Sequence, residues 1–149
     1  MVDCFTFRVW YVERKVIIID SCIWIDFFRE NEEIADEILS LPKSLRFIAS
    51  VSLMEVFEAG RSRGKGEIEK IKKVLKEMGV KIKYSSRKDS KTALFLMEKY
   101  TPKYGLSVKD ALIAATVVSS KALFWTRDKI FKHIEEIQLY KPESQAWSY

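Results

Sequence analysis

The sequence predicts an α/β fold, a three-layer α/β/α sandwich around a mainly parallel central sheet. Three observations carry that expectation. Val16-Ile17-Ile18-Ile19 is an unbroken β-branched run, the pattern of a strand covered on both faces. Strand-like and helix-like segments then alternate along the chain, which favours parallel strands joined by helical crossovers. The 149 residues, 48% hydrophobic and 13% aromatic, suit one compact domain whose core needs no disulfide support.

The elements follow in order. The first strand ends at Asp20. Residues Cys22 to Phe28 are apolar enough for a short helix, and Glu32 to Leu39 form an amphipathic one broken by Pro42. Arg46 to Ala49 reads as the second strand, and a helix from Leu53 to about Arg63 is punctuated by Gly64 and Gly66. Ile68, Ile71, Val74, Leu75 and Met78 have helical spacing, closed by Gly79. Val80 to Tyr84 alternates as a short strand, Ser90 to Tyr100 is a helix stopped by Thr101-Pro102, and Lys109 to Ser119 is a helix with an alanine-rich face. Leu123 to Trp125 is a strand running into Thr126-Arg127-Asp128, and Ile137 to Tyr140 is a last edge strand. The domain occupies residues 16–149. Residues 1–15 form an extension in which Phe5, Phe7, Val9 and Tyr11 alternate with their neighbours. Three readings stay open for it: an added edge strand, an arm docking on another subunit, or an incidental leader.

Cys4 and Cys22 give neither a disulfide framework nor a zinc spacing, and reduced thiols in a cytoplasmic protein are expected. No apolar run approaches a membrane span, and no clean signal peptide is evident. The net charge is +5, with a pI near 9.1. Basic residues crowd between Arg61 and Lys91, with Arg61, Arg63 and Lys65 at the head of the stretch. Two readings stand level for this stretch: a solvated helix face with Glu–Lys pairs, or a surface that touches phosphates.

Four acids stand at the places where such a fold gathers function, beyond the carboxyl ends of the strands. Asp20 and Asp128 follow strands; Glu55 and Asp110 lie near helix starts. Singly, each has a simpler use. Asp20 and Asp128 suit helix caps, and Ser52 to Glu55 and Ser107 to Asp110 both fit capping boxes. Together they suit a shared metal site. Two carboxylates about 5 Å apart repel by roughly 3 kcal/mol at an effective dielectric of about 20, so four converging acids call for a cation. Oxygen donors of this kind suit Mg²⁺ or Mn²⁺ better than zinc.

Four segments, taken in order and spacing, resemble the PIN domain, and within it the VapC-type toxin ribonucleases. They are Val16-Ile-Ile-Ile-Asp20-Ser21, Ser52-x-x-Glu55, Gly105-Leu-Ser-Val-Lys-Asp110-Ala-Leu-Ile-Ala-Ala-Thr116 and Phe124-Trp-Thr126-Arg-Asp128-Lys-Ile-Phe131. The resemblance runs from about Val16 to Gln138. It implies a PIN-like sheet and metal ligation by Asp20, Asp110 and Asp128, with Glu55 completing the set. Ser21 and Thr126 match supporting hydroxyl positions. It further implies metal-dependent endoribonuclease activity leaving 5′-phosphate and 3′-hydroxyl ends, a cognate antitoxin partner, and a homodimer. Cys22 and the long leader depart from the family pattern.

Arg61, Arg63 and Lys65 are the candidate RNA-backbone contacts. Trp24 and Trp125 adjoin core elements and read as packing residues, and His133 as a surface residue. A haloacid-dehalogenase-type phosphatase would want an acid where Cys22 stands. A non-catalytic RNA- or partner-binding module and a housekeeping RNA-processing nuclease remain the alternatives on the same fold.

Overall fold

The computed structural model describes residues 15–142. The expectations for residues 1–14 and for Cys4 lie outside the described residues. Five strands form one sheet: β1 (Ile17–Ile19), β2 (Arg46–Ala49), β3 (Lys81–Lys83), β4 (Leu123–Trp125) and β5 (Gln138–Leu139). Their spatial order is β3-β2-β1-β4-β5, and every pair is parallel. The helices are α1 (Ser21–Phe28), α2 (Glu32–Ser40), α3 (Ser50–Arg61), α4 (Glu67–Glu77), α5 (Arg87–Tyr104) and α6 (Val108–Ser120), with 3-10 turns at Lys43–Leu45 and Lys129–His133.

The β1 run explains the layering. Side chains alternate across a strand, so Ile17 and Ile19 face one way and Ile18 the other. Ile17 and Ile19 join a core with Trp24, Ile34, Ile38, Val56, Ile71, Leu75 and Trp125, drawn from α1 to α4 and β4. Ile18 joins a second core with Phe124, Leu96, Tyr100, Ala111, Ala114 and Ala115, drawn from α5, α6 and β4. Trp24 and Trp125 are both fully buried, in keeping with their reading as packing residues.

Two helices differ from their sequence reading. The third begins at Ser50 rather than Leu53, directly off β2, and its cap residue Ala49 makes no side-chain bond. Ser52 is therefore inside the first turn, and the capping box expected over Ser52 to Glu55 is not formed. The fifth begins at Arg87 under a capping box between Ser86 and Asp89, and it passes Pro102 before ending at left-handed Gly105. Pro102 lacks the N–H that would bond the Glu98 carbonyl, and the turn around it is closed by the Gly105 N–H on the Thr101 carbonyl at 2.9 Å.

Arg46 opens β2 yet is only 4% exposed. Its guanidinium donates to the carbonyls of Leu41 (3.1 and 2.7 Å), Met78 (2.8 Å) and Leu39 (3.1 Å). These carbonyls sit at the C-terminal ends of α2 and α4, where helices leave acceptors unmatched and the dipole favours a cation. Burial lowers the guanidinium pKa from its usual value, without bringing an arginine near neutrality.

On the opposite face, α5 is tied to the turn after β4. The Tyr100 hydroxyl donates to Glu136 Oε2 (2.7 Å) and accepts from the Glu135 N–H (3.0 Å), and Lys99 reaches Glu136 Oε1 at 2.8 Å. Partial burial pushes the Glu136 carboxyl up, but the bonds from Lys99 and Tyr100 outweigh it and hold it below the usual value. Tyr100→Phe removes a donor and an acceptor from a half-buried network. It is expected to cost about 1–2 kcal/mol, read from chemical denaturation at pH 7. A depressed carboxyl contributes stability above its unfolded pKa, roughly 4.3, and loses it as pH falls through the folded value. The gap between the variant and the parent should therefore narrow below about pH 4; a gap constant down to pH 3 would remove Glu136 from the account.

Candidate active site

In a parallel sheet the strands all end at one edge. Asp20 follows β1 there, and its backbone N–H continues the ladder to the Trp125 carbonyl at 2.9 Å. Glu55 lies on α3, which leaves β2 at the same edge. Asp110 lies in the first turn of α6, whose far end feeds β4. Asp128 lies three residues beyond β4. Topology alone thus directs four segments, spread over more than a hundred residues, toward one rim.

Asp20 is buried, 5% exposed, and its oxygens are held from several sides. Oδ1 accepts from the Ser21 N–H (2.8 Å), which caps α1, and from the Ser52 hydroxyl (3.3 Å). Oδ2 accepts from the Thr126 hydroxyl at 2.7 Å, with the Cys22 thiol at 3.7 Å. Burial pushes the Asp20 carboxyl above its ordinary value; the bonds from Thr126 and Ser21 oppose this, and the charge of Glu55 adds to the rise. Thr126 also accepts from the Asp128 N–H at 3.0 Å, so one buried hydroxyl links the first acid to the last. Ser21 contributes its backbone N–H to Asp20.

The cap expected at Ser107 is present, its side chain accepting from the Asp110 N–H at 3.2 Å. The Asp110 carboxyl is half-buried, and burial again raises its pKa. Ser107 and Lys109 oppose the rise, while Asp128 and Glu55 add to it. Asp128 is exposed and caps the 3-10 turn through Ile130, Oδ1 accepting at 3.1 Å. Glu55 turns to Lys109, its Oε2 lying 2.9 Å from Nζ.

The like charge of Glu55 thus reaches Asp20, and those of Asp128 and Glu55 reach Asp110. The four acids are not drawn into a closed cluster. Among the described residues no three His, Cys, Asp or Glu side chains are grouped tightly enough to hold a metal ion as they stand. Glu55 is engaged by Lys109, and Asp128 by its cap. Arg127, close by, is ion-paired with Asp26 on α1.

From sequence Ser52 reads as a helix cap and Lys109 carries no role, so neither is among the predicted site residues. Ser52 is fully buried, and a β2–α3 junction at Ala49 rather than Ser52 would have turned its hydroxyl toward Asp20. Lys109 carried no signal beyond standing beside Asp110. The basic residues lie elsewhere. Arg61 ends α3, roughly 9 Å of helical rise beyond Glu55. Arg63 donates to the Phe28 carbonyl at 3.0 Å and lies 3.9 Å from Glu67. Arg61 and Lys65 are exposed. His133 is exposed and stacks on Tyr104, with ring centroids 4.0 Å apart.

The fold has close counterparts. The toxin–antitoxin complex from Klebsiella pneumoniae contains a chain that superposes with a TM-score of 0.68 at 22% identity, covering 82% of this chain and 94% of that one. VapBC2 from Rickettsia felis, bound to a DNA fragment from its promoter, gives 0.67 at 21% identity, covering 84% and 97%. FitAcB from Neisseria gonorrhoeae gives 0.67 at 14% identity, covering 85% and 98%. At these identities the likeness is one of fold. No curated protein sequence matches significantly. Among the described residues no helix is long and apolar enough to cross a membrane. The sequence model of the PIN domain matches residues 17–137, a span that opens on β1 and takes in all four carboxylates, and the chain belongs to the PIN-domain family.

Proposed function

We propose that this protein is a divalent-metal-dependent endoribonuclease, and that it is the toxin of a type II toxin–antitoxin pair. The observation that carries the reading is the placement of Asp20, Glu55, Asp110 and Asp128 at the carboxyl edge of a parallel PIN sheet. Burial and like charge hold Asp20 and Asp110 above their ordinary pKa values, and a bound cation relieves both costs. The donors are all hard oxygens, which fits Mg²⁺ or Mn²⁺. The toxin role draws on the solved toxin–antitoxin complexes that share the fold; an antitoxin partner and a homodimer belong to the same proposal.

Asp20 and Asp110 are the principal ligands in this scheme, with Glu55 and Asp128 completing the set. A divalent ion bound there supplies charge to the phosphate oxygens and makes water a better nucleophile at neutral pH. Hydrolysis forms a bond from water oxygen to phosphorus and breaks the bond to the 3′ oxygen, leaving a 5′-phosphate and a 3′-hydroxyl. The chain's own part is positional. Thr126, Ser52 and the Ser21 N–H fix the orientation of the Asp20 carboxylate. Thr126 carries the same restraint to the Asp128 backbone. Arg61 and Lys65 extend a phosphate-contacting surface away from the acids, which predicts salt-sensitive and sequence-poor RNA binding.

Metal removal tests the reading. Dialysed protein is expected to leave a labelled RNA intact in EDTA and to cut it when Mn²⁺ is restored, with saturable Mn²⁺ binding in calorimetry. Cleavage indifferent to EDTA, or RNA binding with neither cleavage nor Mn²⁺ binding, would reject it in favour of a non-catalytic module.

A further inference from the structure

Lys109 sits beside Asp110 at the start of α6 and sends its ammonium across to Glu55 on α3. The contact is a direct ion pair, 2.9 Å from Nζ to Oε2, between a side chain 52% exposed and one 23% exposed. Lys109 also stands directly before Asp110, a second of the four acids, in the first turn of α6. Arg127, next to Asp128 in the chain, is paired with Asp26. Lys109 thus pairs with one of the four acids and adjoins another.

We propose that Lys109 is the resident counter-ion of the acidic rim, and that a divalent cation must take Glu55 from it before Glu55 can act as a ligand. The inference rests on the metal-dependent reading above. It accounts for Glu55, at the same edge as the other three acids, turning its carboxylate to an ammonium. Such an exchange is physically easy. A half-exposed pair is worth little, because water screens it and two long side chains lose freedom in forming it. A lysine stem is also free to swing its charge away. An arginine in its place would grip the carboxylate with a flat two-pronged fork and yield it less readily.

Two substitutions at this position are expected to act in opposite directions. The readout is calorimetric titration of the full chain with MnCl₂ alone, at fixed pH and low ionic strength, alongside melting with and without Mn²⁺. Lys109→Met is expected to tighten Mn²⁺ binding by about threefold to tenfold, as a competing charge is lost. Lys109→Arg is expected to weaken it. Lys91→Met, an exposed position on α5, is expected to change nothing. Without metal, Lys109→Met should melt below the parent, and saturating Mn²⁺ should close that gap.

Equal or weaker Mn²⁺ binding by Lys109→Met, with the parent binding normally, overturns the counter-ion role and leaves the nuclease reading standing. The same tightening in Lys91→Met would also overturn it, as it would reduce the effect to net charge. Absence of Mn²⁺ binding in every variant rejects both readings.

Discussion

Asp110→Asn is expected to cut Mn²⁺-dependent RNA cleavage by about a hundredfold or more, while the protein stays folded. The two halves of this expectation have separate causes. Cleavage falls because a neutral amide replaces a carboxylate in an all-oxygen donor set and no longer attracts a dication. The fold survives because the native state already pays for the charge at this position. Burial and the neighbouring Asp128 and Glu55 raise the Asp110 pKa, so removing the charge relieves strain. Against this stands the loss of an acid from the first turn of α6, worth about 0.3–1 kcal/mol. The two act in opposite directions, and melting without metal should shift little. Asp20→Asn is expected to be equally inactive but less stable. Its amide cannot accept from Ser21, Ser52 and Thr126 as a carboxylate does, and a mismatched buried donor costs about 1–3 kcal/mol. Wild-type cleavage by both variants would withdraw the acids from catalysis.

Arg46→Met is expected to be the most damaging change outside the rim, destabilising the protein by about 3–5 kcal/mol. Methionine fills much of the space but donates nothing. The carbonyls of Leu39, Leu41 and Met78 then lose their shared donor, and each buried acceptor left unmatched costs about 1–3 kcal/mol. Relief from burying a charge offsets part of this sum. In urea the midpoint should fall by about 1–2 M with little change in slope, since the surface exposed on unfolding is nearly the same. Arg46→Lys should recover only part of the loss, as an ammonium cannot span three carbonyls with one fixed fork. A midpoint within experimental error of the parent would show that water satisfies these carbonyls without help.

The sheet was readable because its signals are local. Val16 to Ile19 and Leu123 to Trp125 announce strands by composition, and Gly79 marks a helix end by its left-handed φ of 70°. The two acids that follow strands were readable for the same reason. What sequence could not supply was pairing at long range. Nothing near Thr126 indicates that its hydroxyl meets Asp20, and nothing near Arg46 indicates three helix-end carbonyls. The spacing of Ser52 to Glu55 fits a cap, but the helix starts at Ser50 and the Ser52 hydroxyl meets Asp20 instead. Pro102 predicts a helix stop, whereas in the fold the helix runs on to Tyr104. The sequence places four acids at one rim, yet among the described residues no three of them close into a cluster, and Glu55 pairs with Lys109.

The strand order bears on how the protein comes into being. β1 leaves the ribosome first among the strands, yet one of its two ladder partners, β4, is made last but one: Ile17 aligns with Leu123. The hydroxyl that steadies Asp20 arrives 106 positions after it. A nascent chain therefore cannot assemble the rim until the segment around Thr126 and Asp128 has been made, and contacts of such separation form late.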